Sequence, residues 1–435
     1  MLRRCSVTTR LSQPQADDSD RRCRMFSLPS PDVKDIVLVA GVRTPFSKLG
    51  GALREVPSVT LGGHAIRRLL ARTALPGSSV DEVYYGVTLP AEVALEGPTS
   101  GRQAMLRAGL PETALSLTID RGCCSSMTAV QLATRSLRSL EAQWVIAAGA
   151  ENMGRATFLA PPGLRFGHRS GPITLKDPLY RLGADIGGKP VAVDTGEVAL
   201  EWGVSREMQD EWAAGSHRKY FEARARGFYD DHVEAVCFPE FKASLDHDEL
   251  ARRETTAASL AGLKTVYDSP TITAGNAPGL DTGATALLLS TRGTALKQGL
   301  KPLATIVGLS SIACAPREIA VAPGPAIRKV TTQLGWQPES LDALEVNEAF
   351  AAVPLVTARY LSQDNSSIEQ AILARTNPNG GAVAIGHPTG ASGARLVLQL
   401  ALALRARGGG CGVAVICGAL GQADAVALVV DSEGP

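Results

Sequence analysis

Gly380-Gly381-Ala382-Val383-Ala384-Ile385-Gly386-His387-Pro388-Thr389-Gly390-Ala391-Ser392-Gly393 is the most glycine-dense stretch of the chain. Glycines at this density let a backbone approach a ligand closely or take up positive φ. His387, one of only six histidines, is held between Gly386 and Pro388, just before residues of helical period at 392–407. A tight turn with a satisfied histidine has the same sequence appearance, but the rigid placement of so rare a residue favours function. Beyond that helix, 412–417 is an apolar run that reads as a buried strand, and upstream 344–346 is a short strand running into a helix predicted over 348–360. The first half follows the same plan. A strand at 115–119 leads through a small-residue turn into a helix at 127–140 and then a strand at 145–148. Repetition of strand, turn, apolar helix and strand points to an internal duplication. It also points to a layered α/β architecture with much parallel pairing.

Working outward, 36–40 and 83–87 read as further strands and 61–71 as a helix. Residues 151–270 are richer in Pro, Gly and charge, with 206–223 the clearest helical pattern. They read as an inserted loop domain, and long insertions of this kind shape binding surfaces. The expected division is therefore a first half at 33–300 containing the insertion, and a second half at 301–432. Residues 1–32 lack hydrophobic periodicity and combine Arg, Ser and Pro with Asp17, Asp18 and Asp20. They read as a disordered tail or leader. The acidic cluster argues against organellar targeting, so the expected location is cytoplasmic, with mitochondrial import left open by the arginines.

The 435 residues are 45% hydrophobic and 20% charged with a net charge of +1, which gives no support for nucleic acid or an anionic membrane as main partner. No stretch has the uninterrupted apolar length of a membrane span. Eight cysteines in a chain this long do not form a disulfide framework, and none shows C-x-x-C spacing for structural zinc.

Three further segments carry candidate chemistry. In Asp120-Arg121-Gly122-Cys123-Cys124-Ser125-Ser126-Met127 a cysteine falls at a strand-to-helix junction, where free N–H groups and the helix dipole favour a thiolate. Inert packing is the competing reading. Asn347-Glu348-Ala349-Phe350-Ala351 puts a polar pair at a strand end, where Asn also serves as a helix cap. Cys417-Gly418-Ala419-Leu420-Gly421-Gln422 ends a buried strand with a second cysteine, for which a core role is the plainer reading.

Taken in order, these segments resemble the thiolase family, from about Asp35 to Val430. Val42-Arg43-Thr44-Pro45-Phe46 and Thr273-Ala274-Gly275-Asn276-Ala277-Pro278-Gly279 are similar to thiolase segments as well. The resemblance implies a duplicated five-layered α-β-α-β-α fold with an inserted loop domain, assembled as a homodimer or homotetramer. It implies Cys123 as nucleophile, His387 as its base and Cys417 as the second acid/base. Oxyanion stabilisation is assigned to His387 with Asn347, and to the backbone N–H groups of Cys123 and Ala419. Arg252 is the implied contact for the CoA nucleotide, and Ala274 and Phe350 line the pantetheine tunnel. No metal or redox cofactor is implied; acyl-CoA and CoA are the substrates and products.

This chain departs from the family pattern at Asp120, Ser126 and Pro278, and Val191-Ala192 replaces the His-Met pair common over the acyl end. The expected activity is Claisen condensation of two acetyl-CoA, or thiolysis of a 3-ketoacyl-CoA. The alternatives are a longer-chain 3-ketoacyl-CoA thiolase of fatty-acid β-oxidation and a non-catalytic acyl-CoA or lipid carrier. A carrier of this kind is expected to lack one reactive cysteine, and this chain keeps both.

Overall fold

A computed structural model describes residues 31–180 and 188–432. The reading made for the N-terminal tail, residues 1–32, lies outside the described residues except at Pro31 and Asp32. From Pro31 onward the chain packs as one compact unit. The first half contributes β1 (Ile36–Arg43), α1 (Ser58–Thr73), β2 (Glu82–Gly86), α2 (Ser100–Arg107), β3 (Leu115–Ile119), α3 (Ser125–Arg138) and β4 (Trp144–Asn152). The insertion follows, with α4 (Val191–Glu201), α5 (Arg206–Ala225) and a small ribbon of Val236–Phe238 against Ala243–Leu245, before β5 (Thr282–Thr291). The second half holds β6 (Ala304–Ala313), α6 (Pro323–Leu334), β7 (Ala343–Val346), α7 (Ala352–Ser362), α8 (Ser366–Arg375), α9 (Thr389–Ala406), β8 (Gly410–Gly418) and β9 (Gln422–Val430).

The strand order is β3-β2-β4-β5-β1-β6-β9-β8-β7. Only two residue pairs join β1 to β6, Val37 with Thr305 and Leu38 with Ala304, so the ladder divides naturally into two halves there. Side-chain alternation builds the layers, since successive strand residues point to opposite faces. Val37, Val39, Ile146 and Ala148 face one cluster under α1 and α2. Leu38, Val145 and Ala147 face the opposite one, shared with α3, α9 and β8. Helix α6 covers the far face of the second half, with α7 packed beside it. The result is α, β, central α3/α9, β, α, and this five-layered order is the predicted one.

Two expectations change. Pairing is mixed: β2 is parallel to β3 and β4, and β8 to β7, but β5, β1, β6 and β9 run antiparallel to their neighbours. The sequence reading missed β5, which is buried along nearly its whole length and so lacks alternation, and β6, whose apolar run is broken by Gly308, Ser310 and Ser311. The helix predicted from Glu348 starts only at Ala352, because Glu348 turns inward at the end of β7.

Candidate active site

The central layer sets the site. Both α3 and α9 begin at the same level, one just after Cys123 and the other just after His387, and small residues bring them together. A side chain at Gly393 would meet the Met127 nitrogen at 2.4 Å. Much of the glycine in the quoted stretch therefore serves helix packing rather than a ligand. Ser126, one of the departures from the family pattern, accepts the Ala394 N–H at 3.0 Å and ties the two helix starts directly. Asp120, another, accepts the Gly122 N–H at 3.0 Å and so shapes the turn before the cysteine.

Cys123, His387, Ala419, Ala274 and Phe350 all border one cavity of about 310 Å³. Its wall also includes Val191 and Ala192 from the start of α4, with Met153, Tyr267, Pro278 and Ile319. Gly122 has φ +55°, and a side chain there would come within 3.1 Å of the Ala419 nitrogen. The Cys123 turn and the β8–β9 turn are thus closely packed, and Cys123 and Ala419 border the same cavity.

His387 is held from three directions. Its backbone N–H donates to Asp281 Oδ2 at 2.6 Å. Ser392 donates its hydroxyl to the Pro388 carbonyl at 2.8 Å, so its oxygen accepts from Nδ1 of His387 at 2.6 Å. The Asn347 amide nitrogen lies 3.3 Å from Nε2. Its orientation is set by Arg395, which donates to Asn347 Oδ1 at 3.4 Å. An amide donor pointed at Nε2 and a hydroxyl acceptor at Nδ1 require the same tautomer, with the proton on Nδ1 and a lone pair on Nε2. Burial, then the Arg395 charge, lowers the imidazole pKa to about 3, so the ring rests neutral.

One electrostatic expectation is overturned. Its position before α3 was expected to stabilise the Cys123 thiolate, but burial, reinforced by the Glu151 charge, pushes the thiol up to about 12. Desolvation outweighs the helix terminus. The resting pair is a neutral thiol and a neutral imidazole. Cys417 is fully buried at the end of β8 and also raised, by burial and then by the Cys123 charge. It borders no part of the cavity wall, as does Asn347, which acts on His387 from behind.

The remaining motifs are scaffold. Glu348 accepts from Trp212 Nε1 at 2.9 Å and Ser216 Oγ at 2.8 Å on α5, from Asn377 Nδ2 at 2.8 Å, and from the Val383 N–H at 3.0 Å. It fastens the histidine loop to the insertion. Arg43 and Asp248, both buried, form a bidentate pair at 2.6 and 2.8 Å, and Asp248 also accepts the Phe46 N–H at 2.8 Å. This pair locks the insertion onto β1 and fixes the segment that carries Arg252. Arg252 is exposed, beside His217, whose Nδ1 accepts its N–H at 3.2 Å. It borders a shallow groove with Ser259, Leu263 and Gly275 that shares Ala274 with the main cavity.

Sequence reasoning missed Ser392, Asp281 and Arg395 as partners of the site. Ser392 could have been found, since it lies five residues after His387 in the first turn of its helix. Asp281 and Arg395 had no local signal.

Residues 36–293 match the family model described as thiolase, N-terminal domain, and 300–430 the one described as thiolase, C-terminal domain. An acetyl-CoA acetyltransferase of Cupriavidus necator is 36% identical over 403 residues, covering 91% of this chain and 99% of that protein. A beta-ketoadipyl-CoA thiolase of Pseudomonas putida is 36% identical over 407 residues, with 91% and 99% covered. Among solved structures, human mitochondrial 3-ketoacyl-CoA thiolase in complex with CoA superposes with a TM-score of 0.83 at 32% identity, covering 91% of this chain and 98% of that one. With both halves of the fold matched and the paired cysteine and histidine turns meeting in one cavity, the chain belongs to the thiolase family.

Proposed function

We propose that this thiolase takes an acyl group from a 3-ketoacyl-CoA onto Cys123 and passes it to CoA, or in reverse condenses two acetyl-CoA. The observation that carries the reading is the set of bonds leaving the Nε2 lone pair of His387 on the cavity that also holds Cys123. His387 removes the thiol proton as sulfur attacks the thioester carbonyl. The Cys123 and Ala419 N–H groups stand beside the developing oxyanion, where such donors are worth about 10²–10³ in rate. Cys417, behind Cys123, moves the proton at the α-carbon. Asn347 supports the enolate oxygen site together with His387. CoA runs from the groove beside Arg252 past Ala274 and Phe350, needing no metal or redox cofactor. The retention of Cys123, His387 and Cys417 favours turnover over a carrier role.

The acyl end is bounded by Val191 and Ala192, small side chains on the first turn of α4. This favours acyl groups beyond the four-carbon substrate. Thiolysis of a 3-ketoacyl-CoA series from four carbons upward tests it: the six-carbon substrate should be cleaved within about tenfold of acetoacetyl-CoA in kcat/KM, whereas a pocket that rejects its two extra methylenes, at ~1–3 kcal/mol each, would discriminate by well over tenfold. Ala192→Met should restore the four-carbon preference. An enzyme that ignores six carbons would leave acetoacetyl-CoA as the substrate.

Assembly is proposed through β3. This strand ends the sheet, and Leu115 and Leu117 are 66% and 48% exposed. An open edge with exposed leucines is a template for pairing with a second chain, which supports a homodimer, or a tetramer built from two. A cytoplasmic location remains the proposed one.

A further inference from the structure

Asp281 stands where the cavity wall meets the base. It closes the stretch Ala277-Pro278-Gly279-Leu280, which lines the cavity, and immediately precedes β5. Its carboxyl is 1% exposed. One oxygen, Oδ2, takes the His387 backbone N–H at 2.6 Å. The other, Oδ1, faces the Gly279 backbone, whose N–H favours the charged carboxyl, but makes no hydrogen bond of good geometry among the described residues. The neighbouring charges come from separate elements. Asp248 is neutralised by its bidentate pair with Arg43, and Arg395 of α9 acts on His387.

A carboxylate placed this way does more than hold a loop. When His387 takes the Cys123 proton, a positive charge appears on a ring whose own backbone nitrogen is bonded to Asp281. A negative charge on this carboxyl favours the imidazolium over the imidazole, and buried charges are weakly screened. We propose that Asp281 is a positioning residue for His387 whose charged form supports the imidazolium generated when Cys123 is acylated. The proton lost by the Cys123 sulfur goes to His387 Nε2; Asp281 stays a bystander to the transfer and changes only its energy. Burial, with a smaller push from the Asp248 charge, raises its pKa to about 7 against the His387 and Gly279 N–H groups, so that the charged form is filled in only around neutral pH. The inference rests on His387 being the base.

The test is the rate of acyl-enzyme formation from acetoacetyl-CoA, followed by quenched-flow mass measurement between about pH 5.5 and pH 8.5. The wild-type rate should rise by up to about tenfold through about pH 7, tenfold being the effect of one pK unit on the base. Asp281→Asn keeps an acceptor for the His387 N–H and removes the charge. It should fold, bind CoA normally, and show a low rate without that rise. An Asp281→Asn profile that keeps the wild-type rise would overturn the proposal. Should that variant fail to fold, a carboxyl-carbon NMR titration of wild-type protein labelled at aspartate decides the point. An aspartate titrating with the midpoint of acylation supports the proposal, and none titrating above about pH 5.5 overturns it. Failure of the underlying reading looks different: His387→Ala would then acylate at the wild-type rate.

Discussion

Replacing Ser392 by Ala removes one oxygen, 2.6 Å from Nδ1 of His387, at a fully buried position. The imidazole then has two choices. It can keep its proton on Nδ1 with no acceptor, at the ~1–3 kcal/mol cost of a buried unsatisfied donor. Alternatively it can move the proton to Nε2, where it opposes the Asn347 amide at 3.3 Å, donor against donor, and has no lone pair left for Cys123. Both routes raise the energy of the only tautomer that can act as base. At 1.36 kcal/mol per factor of ten, acylation should slow by roughly 5- to 150-fold. The assay is single-turnover acylation of Cys123 by acetoacetyl-CoA, read by intact mass well below the unfolding midpoint, with CoA affinity measured separately. CoA affinity should hold within about twofold, because Ser392 is fully buried and forms no part of the cavity wall. Acylation within about twofold of wild type would show that Ser392 does not set the tautomer.

Cys417→Ala should still form acyl-enzyme but lose exchange of the acetyl-CoA methyl protons by about 10²-fold or more, the usual scale for a lost acid or base; condensation at a near-normal rate would leave Cys417 as core packing. Leu117→Lys places a charge on the open edge of β3 and should shift sedimentation toward a monomer, whereas an unchanged assembly would place the interface elsewhere.

The residues that announce the site in sequence are those whose backbone is constrained. His387 follows Gly386 at φ +112°, and Cys123 follows Gly122 at φ +55°, so composition alone marks both turns. The central helices were legible because their apolar faces are continuous. What stayed hidden was contributed across long sequence separations. Asp281 reaches His387 over 106 residues, and Arg395 reaches back 48 to Asn347. No local pattern encodes such contacts. Glu348 misled the helix assignment for the same reason, since its four donors come from α5, Asn377 and Val383. The sign of the Cys123 shift was missed because sequence reports the helix terminus and not the depth of the cavity.

The bond between Ser126 and Ala394 joins residues 268 apart. As the chain leaves the ribosome, N-terminal end first, the cysteine turn is made long before the His387 turn. During that interval Cys123 is a lone thiol on half a protein, with neither the His387 ring nor the Ala419 amide beside it. On the roles proposed above, acylation of Cys123 is expected only once the second half has docked. The same arrangement means that a fragment ending before β6 would be chemically silent, and that adding the missing half as a separate polypeptide would have to restore reactivity and helix packing in one step.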